Sequence, residues 1–283
     1  MSDFSIAGIL RSPSYSPNHI GSDAAILTSV CASLRKRGCP VTIYSEAELM
    51  DGKVSEKIII NMCRERRSIA MLQQMEDSGA LVINSAYGTE NCKRGRMAPR
   101  LIQGGIPYVD SVTIDTDRSV TDRLADMGMN QCWVKRADFH SMHKEDITFA
   151  RNATMAQEVL QEYFLRGIRT AVVERHIEGN LVKFYGVGGT TFFRYHYPLD
   201  PDDRIAAQPA YEFDHEALNK AADKAARIVG VDIYGGDCIV TPEGNFTIIN
   251  FNDWPSFSPF RADATKAIAK FILAKIKKKF STK

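Results

Sequence analysis

Short runs of β-branched and aliphatic residues alternate with longer stretches of helical period through the first third of the chain, a rhythm that points to a parallel sheet covered by helices. The runs at 4–10, 41–44, 57–61 and 80–84 read as strands, and the stretches at 22–37 and 66–77 as helices. Gly38-Cys39-Pro40 stops the first helix before the second strand. The expected class is α/β.

From Asn91 onward the pattern changes. A basic helical stretch over 92–105 leads to a strand near 109–115, a helix over 118–127 and a strand over 131–136. Long helices follow at 153–166 and 214–229. Around them lie β segments at 170–175, 180–187, 190–195, 232–240 and 245–252 that read as antiparallel, so the second half is α+β. The last two are joined by Thr241-Pro242-Glu243-Gly244, a hairpin turn between alternating runs. Leu218, Ala221, Ala222, Ala225, Ile228 and Val229 fall on one face of the helix at 214–229, which predicts packing on that sheet. The terminal helix, 261–279, ends in Lys275, Lys277, Lys278 and Lys279, which complement its dipole and read as a solvated end.

Composition narrows the function classes. Among 283 residues, 36 basic and 34 acidic side chains leave a net charge of +2, so no global excess draws the chain to nucleic acid or an anionic membrane. No apolar run approaches the roughly 20 residues that cross a bilayer, and the first residues lack the basic and apolar regions of a signal peptide. A soluble, cytoplasmic protein is expected. The six cysteines are scattered without a C-x-x-C pair, and reduced, buried thiols are the expectation. There is no P-loop and no G-x-S-x-G elbow. Gly186-Val187-Gly188-Gly189 precedes an alternating, strand-like run and not a helix, so a dinucleotide loop is excluded. His140 and His143 have no third ligand near them and read as a loop pair.

The stretch from Gly235 to Phe257 carries the most chemistry. Asp237 and Asn250 stand on opposite arms of the hairpin and can face one point, and Asn252 shares the face of Asn250 because strand side chains repeat every two residues. Three oxygen-bearing side chains from two strands suit a hard divalent cation whose remaining ligands are phosphates. Spacing alone equally allows a polar strand end entering a loop. The apolar neighbours Ile248, Ile249 and Phe251 favour the site, because polar groups inside a buried strand cost stability unless they are paired or used.

Asp237, then Asn250-x-Asn252, then Pro255-Ser256-Phe257 resemble the metal-binding hairpin of ATP-grasp proteins, whose usual form is D, followed by (D/E)-x-N-x-x-P-(G/S). Other landmarks follow in the family's order. Lys135 resembles the strand lysine that contacts the α- and β-phosphates. The stretch 172–178 resembles the linker that holds adenine, through Glu174 and the backbone of Arg175, His176 and Ile177, with Glu178 at the ribose. Lys183 corresponds to the lysine that faces the transferred phosphoryl group. Arg194 corresponds to the arginine that stabilises substrate or intermediate, and Lys93 or Arg94 to the basic helix that touches ATP.

The resemblance implies an ATP-grasp fold: an N-terminal parallel-sheet α/β domain over 1–86, then two α+β subdomains clasping ATP over 87–283. These are a lid-like part at about 117–178 and a metal-binding part at about 179–283. It implies ATP and Mg²⁺ as cofactors, with room for two ions, and a homodimer as an ordinary state. The acceptor is then a small molecule or peptide. The residues themselves allow the loop 11–23 either to meet it through Tyr15, Asn18 or His19 or to be a plain βα loop, and allow Lys183, Arg194, Arg261 and the basic stretch 93–100 (Lys93, Arg94, Arg96, Arg100) to hold an anionic acceptor.

The sequence departs from the family twice. Asn250 stands where an acid is usual, which removes a negative charge from the metal site, and 136–145 contains no glycine where relatives have a Gly-rich lid. Three functions stay open. One is a ligase that activates a carboxylate as an acylphosphate for attack by an amine. The second is a kinase that phosphorylates a hydroxyl of an anionic small molecule such as an inositol phosphate. The third is a nucleotide-binding protein whose turnover is weak or absent because of Asn250.

Overall fold

A computed structural model describes residues 4–15, 20–138, 144–198 and 210–280. Asn18, His19, His140 and His143 lie outside the described residues.

The first sheet is parallel. Its strands are β1 (Ile6–Ile9), β2 (Val41–Tyr44), β3 (Ile58–Asn61) and β4 (Leu81–Ile83), in the order β2-β1-β3-β4. The helices α1 (Ile20–Lys36), α2 (Glu46–Met50) and α3 (Arg66–Asp77) connect them. β1 and β3 are buried at every position, as strands covered on both faces must be. The short helix α2, which the sequence pattern does not signal, is fixed by a capping box between Ser45 and Glu48. Glu46 in its first turn is buried and accepts from the backbone of Ser12, Arg64 and Glu65 and from the Ser68 hydroxyl, so one carboxylate ties the loops after β1 and β3 to α3.

Two short helices, α4 (Ala86–Asn91) and α5 (Arg94–Gln103), lead into the second sheet. That sheet contains β5 (Ser111–Asp115), β6 (Cys132–Arg136), β7 (Ile147–Ala150) and β8 (Thr170–Arg175), antiparallel in the order β5-β8-β6-β7, with α6 (Thr121–Asp126) and α7 (Ala153–Leu165) on one side. Its core, which includes Val112, Val134, Leu160, Tyr163 and Val173, is closed within itself. β7 has no counterpart in the sequence reading, because Ile147-Thr148-Phe149-Ala150 is too short to show a period against its polar flanks.

The third sheet holds β9 (Asn180–Val187), β10 (Phe193–His196), β11 (Ile233–Val240) and β12 (Phe246–Asp253), ordered β10-β9-β11-β12 and antiparallel as expected. The helix α8 (His215–Val229) is capped by Asp214, whose side chain accepts from the Ala217 N–H at 2.9 Å, and it packs Leu218, Ala222, Ala225, Ala226 and Val229 on this sheet. The Phe184 ring lies across Gly236, where a Cβ would come within 2.4 Å of it.

The terminal helix α9 (Arg261–Phe280) crosses back to the first sheet: Ala264, Ile268, Ala269, Ile272 and Ile276 share one core with Ile6, Val30, Leu34 and Ile83. Its basic end is not simply solvated. Lys275 donates to Asp232 at 2.5 Å and Lys279 to the Ala80 carbonyl at 2.9 Å, which fastens the helix to both neighbours.

Candidate functional site

The hairpin at the centre of the site carries a β-bulge. Asp237 pairs with Asn250, but Cys238 pairs with Ile248, so Ile249 has no partner on β11. The extra residue turns Ile249 and Asn250, two neighbours, toward the same side. Both line the same cavity. Residues 107–109 buttress the bulge, through Ile248 N–H to the Pro107 carbonyl at 2.7 Å and Val109 N–H to the Ile248 carbonyl at 2.9 Å.

Lys183 on β9 stands opposite Asp237 on β11, which stands opposite Asn250 on β12. The register becomes chemistry. Lys183 Nζ donates to Asp237 Oδ1 at 2.9 Å, and Asn250 Nδ2 donates to Asp237 Oδ2 at 3.1 Å. Asn250 Oδ1 and Asn252 Oδ1 are buried without a hydrogen-bond partner. Buried acceptors left unpaired are rare and call for a ligand. One carboxylate and two amide oxygens fit a hard cation, and Lys183 places a positive charge beside the carboxylate. Among the described residues no three His, Cys, Asp or Glu side chains cluster for a metal, so the oxygen set depends on its amides.

A second centre lies on the middle sheet. Lys135 on β6 and Glu174 on β8 form a buried ion pair, and Lys135 Nζ also lies 3.4 Å from the carbonyl of Ile249. Glu174 Oε1 is buried and unpaired. Beside it, Trp133 Nε1 donates to His176 Nδ1 at 3.2 Å, and the Trp133 and Phe149 rings pack at 5.1 Å.

Two cavities join these centres. The larger, of about 900 Å³, runs between the second and third sheets, with Trp133, Lys135, Glu174, Ile177, Glu178 and Ile249 in its wall. The smaller, of about 560 Å³, opens toward the first sheet and includes Tyr15, Lys183, Tyr185, His196 and Asn252. Arg94, Ile147, Asp237 and Asn250 belong to both. Burial, and then the Lys183 ammonium, push the His196 imidazole below its ordinary value.

The expected residues are placed as follows. Lys135, Glu174, Arg175, His176, Ile177 and Glu178 line the larger cavity, although the Arg175 guanidinium is tied to Asp110 and to the carbonyls of Met127 and Gly128. Lys183 and Asn252 line the smaller one, and Asp237 and Asn250 line both. Of the two basic candidates on the helix after Asn91, Arg94 lines both cavities, while Lys93 is turned to Glu90, 3.8 Å away. Arg194 lines neither: on the edge strand β10 it is exposed, bonds the Phe193 carbonyl at 2.8 Å and lies over the Phe192 ring. Arg261 stands at the rim, 3.4 Å from Ser258 Oγ, and also lines neither cavity.

Sequence reasoning missed Trp133, Ile249, His196, Arg11 and Arg64. A signal existed for the two arginines, which fall just beyond the carboxyl ends of two strands read correctly. None existed for His196 or Ile249, whose places in the cavity walls depend on register and on the bulge. Asp253, which the hairpin pattern aims away from the metal face, is buried and paired with Arg64.

No protein-family model and no curated protein matches the sequence. Solved structures match over nearly the full length. A D-alanine–D-alanine ligase from Bacillus anthracis complexed with ATP is similar at 13% identity and a TM-score of 0.69, over 98% of this chain and 97% of that one. The ATP-grasp ligase PsnB, complexed with a phosphomimetic variant of its minimal precursor, Mg and ADP, is similar at 15% identity and a TM-score of 0.63, over 96% and 98%. The D-cycloserine synthetase DcsG is similar at 14% identity and a TM-score of 0.65, over 95% and 100%. With three sheets in this arrangement and a cleft between the second and third, the chain has the ATP-grasp fold.

Proposed function

We propose that this protein is an ATP- and Mg²⁺-dependent ligase that activates a carboxylate as an acylphosphate and passes the acyl group to an amine or similar nucleophile. The observation that carries the reading is the pair of joined cavities: one walled by Trp133, Lys135, Glu174 and Ile177, the other by Lys183 and Asn252, with Asp237 and Asn250 at the junction. Trp133, Ile177 and Ile249 give the larger cavity an apolar wall suited to a base, and the unpaired Glu174 Oε1 supplies an acceptor there. Lys135 is positioned for the α- and β-phosphates, Arg94 and Lys183 for the γ-phosphate at the junction.

Magnesium, when bound by Asp237, Asn250 and Asn252, neutralises phosphate charge and orients the triphosphate. The acceptor carboxylate attacks the γ-phosphorus, the bond to the bridging oxygen breaks and ADP leaves. The amine then attacks the acyl carbon, loses a proton and displaces inorganic phosphate. Lys183 and Arg94 hold the charge that develops on the equatorial oxygens. Residues 1–86 contribute to the acceptor side, and 117–178 form the part that closes on ATP.

The ligases named above act on small molecules or, for PsnB, were solved with a precursor, and both kinds of acceptor fit the proposal. The kinase reading is favoured by the cations of the smaller cavity. ADP release measured across amino acids and peptides tests the ligase, and phosphorus NMR separates it from a kinase: free phosphate against a new monoester. A protein that binds ATP without turnover would reflect the missing acid at 250. Calorimetry with AMPPNP and Mg²⁺ that finds no nucleotide binding defeats all three.

A further inference from the structure

In the order β2-β1-β3-β4, the connections leave in opposite directions on either side of the gap between β1 and β3. Crevices at such points, outside the carboxyl ends of the strands, are where open α/β sheets take ligands. Arg11 lies two residues beyond β1 and Arg64 three beyond β3, and both line the smaller cavity, with side chains 12% and 9% exposed.

Each guanidinium is held in place from the protein side. Arg11 donates to the Met62 carbonyl at 3.2 Å, to Asp23 at 2.6 Å and to the Trp254 carbonyl at 3.3 Å. Arg64 donates to the Asp253 carboxylate and, at 3.2 Å, to its carbonyl. Each arginine is matched by one aspartate, and across the whole cavity four cationic side chains, Arg94 and Lys183 included, face three carboxylates. Burial, and next the repulsion of Arg64, hold the Arg11 guanidinium down at about 10 against the pull of Asp23, Asp253 and Glu46. Two like charges therefore press on each other beside an open space, and an anion there offsets both their repulsion and their lost hydration.

The opposite wall is the reacting one, with Lys183 on β9 and Asp237 on β11. A volume of about 560 Å³ between the two walls suits a small molecule. We infer that the acceptor is a small molecule with two anionic ends, a carboxylate that reacts beside Lys183 and Asp237 and a second carboxylate or phosphate held by Arg64 and Arg11. The inference rests on the nucleotide reading above and narrows its substrate class.

Calorimetry in the presence of AMPPNP and Mg²⁺ tests it with glutarate and 3-phosphonopropionate as probes and butyrate, which lacks the second anion, as control. At least one dianionic probe binds about tenfold or more tighter than butyrate, the worth of one charge-assisted hydrogen bond. A preference for the phosphonate assigns the second anion as a phosphate, and a preference for glutarate as a carboxylate. Arg64→Lys keeps the charge but loses the planar fork, and weakens the preferred probe about tenfold while binding of AMPPNP, to which no contact from Arg64 is assigned, stays within about twofold. Butyrate binding as well as both dianions, or no probe binding while AMPPNP does, overturns the inference. Should Arg64→Lys fail to fold, the comparison of probes on the unaltered protein still decides. Absence of AMPPNP binding in the same cell is a separate result and removes the nucleotide reading itself.

Discussion

Asn250 is the residue at which this site departs most in charge. Its amide donates to Asp237 Oδ2 at 3.1 Å, so without a metal the pair is held by a hydrogen bond that a carboxylate could not make. Asn250→Asp replaces that bond with like-charge repulsion, eased by Lys183 on Asp237 Oδ1. Stability in EDTA falls by about 1–3 kcal/mol, and saturating Mg²⁺ restores it, because the second carboxylate binds the cation more tightly. Melting temperatures with and without Mg²⁺ read both effects, and a variant that Mg²⁺ does not stabilise argues against the metal site. The buried pair Lys135–Glu174 gives a second expectation. Lys135→Met strands the Glu174 carboxylate and costs about 3–5 kcal/mol in urea unfolding. Adding Glu174→Gln recovers part of that loss, since the stranded charge is gone. At this scale Asp237, Asn250 and Asn252 were legible as polar groups among apolar strand neighbours, and Lys135 and Lys183 only through the family resemblance; all five line the pair of cavities. The arginines were harder, since Arg194 and Arg261 have as much charge as Arg11 and Arg64 and differ only in where their backbones lead.

Strands and helices set which of those side chains meet. The parallel strands were legible because burial on both faces writes an apolar run, as in Ile58-Ile59-Ile60. The hairpin was legible because its turn residues are explicit. The bulge was not, because one unpaired residue leaves no mark on an apolar sequence, and it decides that Ile249 joins Asn250 in the cavity wall. Likewise α2 depends on a capping box and a buried Glu46 whose partners are distant in sequence. Contacts between elements can be as tight as those within them. Gly88 in α4 approaches Gly230, which ends α8 in the left-handed region at φ 85°, so closely that a Cβ on residue 88 would stand 2.1 Å from the Gly230 carbonyl oxygen. The obstacle is backbone and cannot rotate away. Gly88→Ala therefore destabilises by the about 1–3 kcal/mol of core overpacking or more, visible as a lower urea midpoint. An unchanged midpoint would mean that the two helices separate freely.

Across the whole molecule, one core ignores chain order. The first sheet and α1 are covered by α9, the last element described, and the same core takes in Tyr185, Ile233, Trp254 and Phe257 from the third sheet and its exit loop. The ties of Arg11 to the Trp254 carbonyl and of Arg64 to Asp253 run across the same boundary, so the wall that holds the hairpin is anchored to the wall that faces it. The second sheet keeps a core of its own. An alternating pattern in the first 86 residues could not announce this, because a strand's apolar run says that something covers it and not what. The consequence concerns α9. Burying an isoleucine is worth about 1.5–3 kcal/mol, and Ile268, Ile272 and Ile276 are all buried there, so their sum approaches the about 5–15 kcal/mol that holds an ordinary domain together. Truncation before Arg261 thus removes the cooperative unfolding of the first sheet. Thiol labelling reads it locally: Cys31 lies in this core, its thiol pushed up to about 11 by burial, and Cys39 lies there too, raised by the same cause. At pH 8 both resist a thiol reagent in the full chain, because buried thiols are shielded and scarcely ionised, and both react in the truncated one. Cys132, in the second sheet's separate core, stays protected in both. If Cys31 and Cys39 remain unreactive after truncation, the first sheet holds its core without α9 and the shared-core account is wrong.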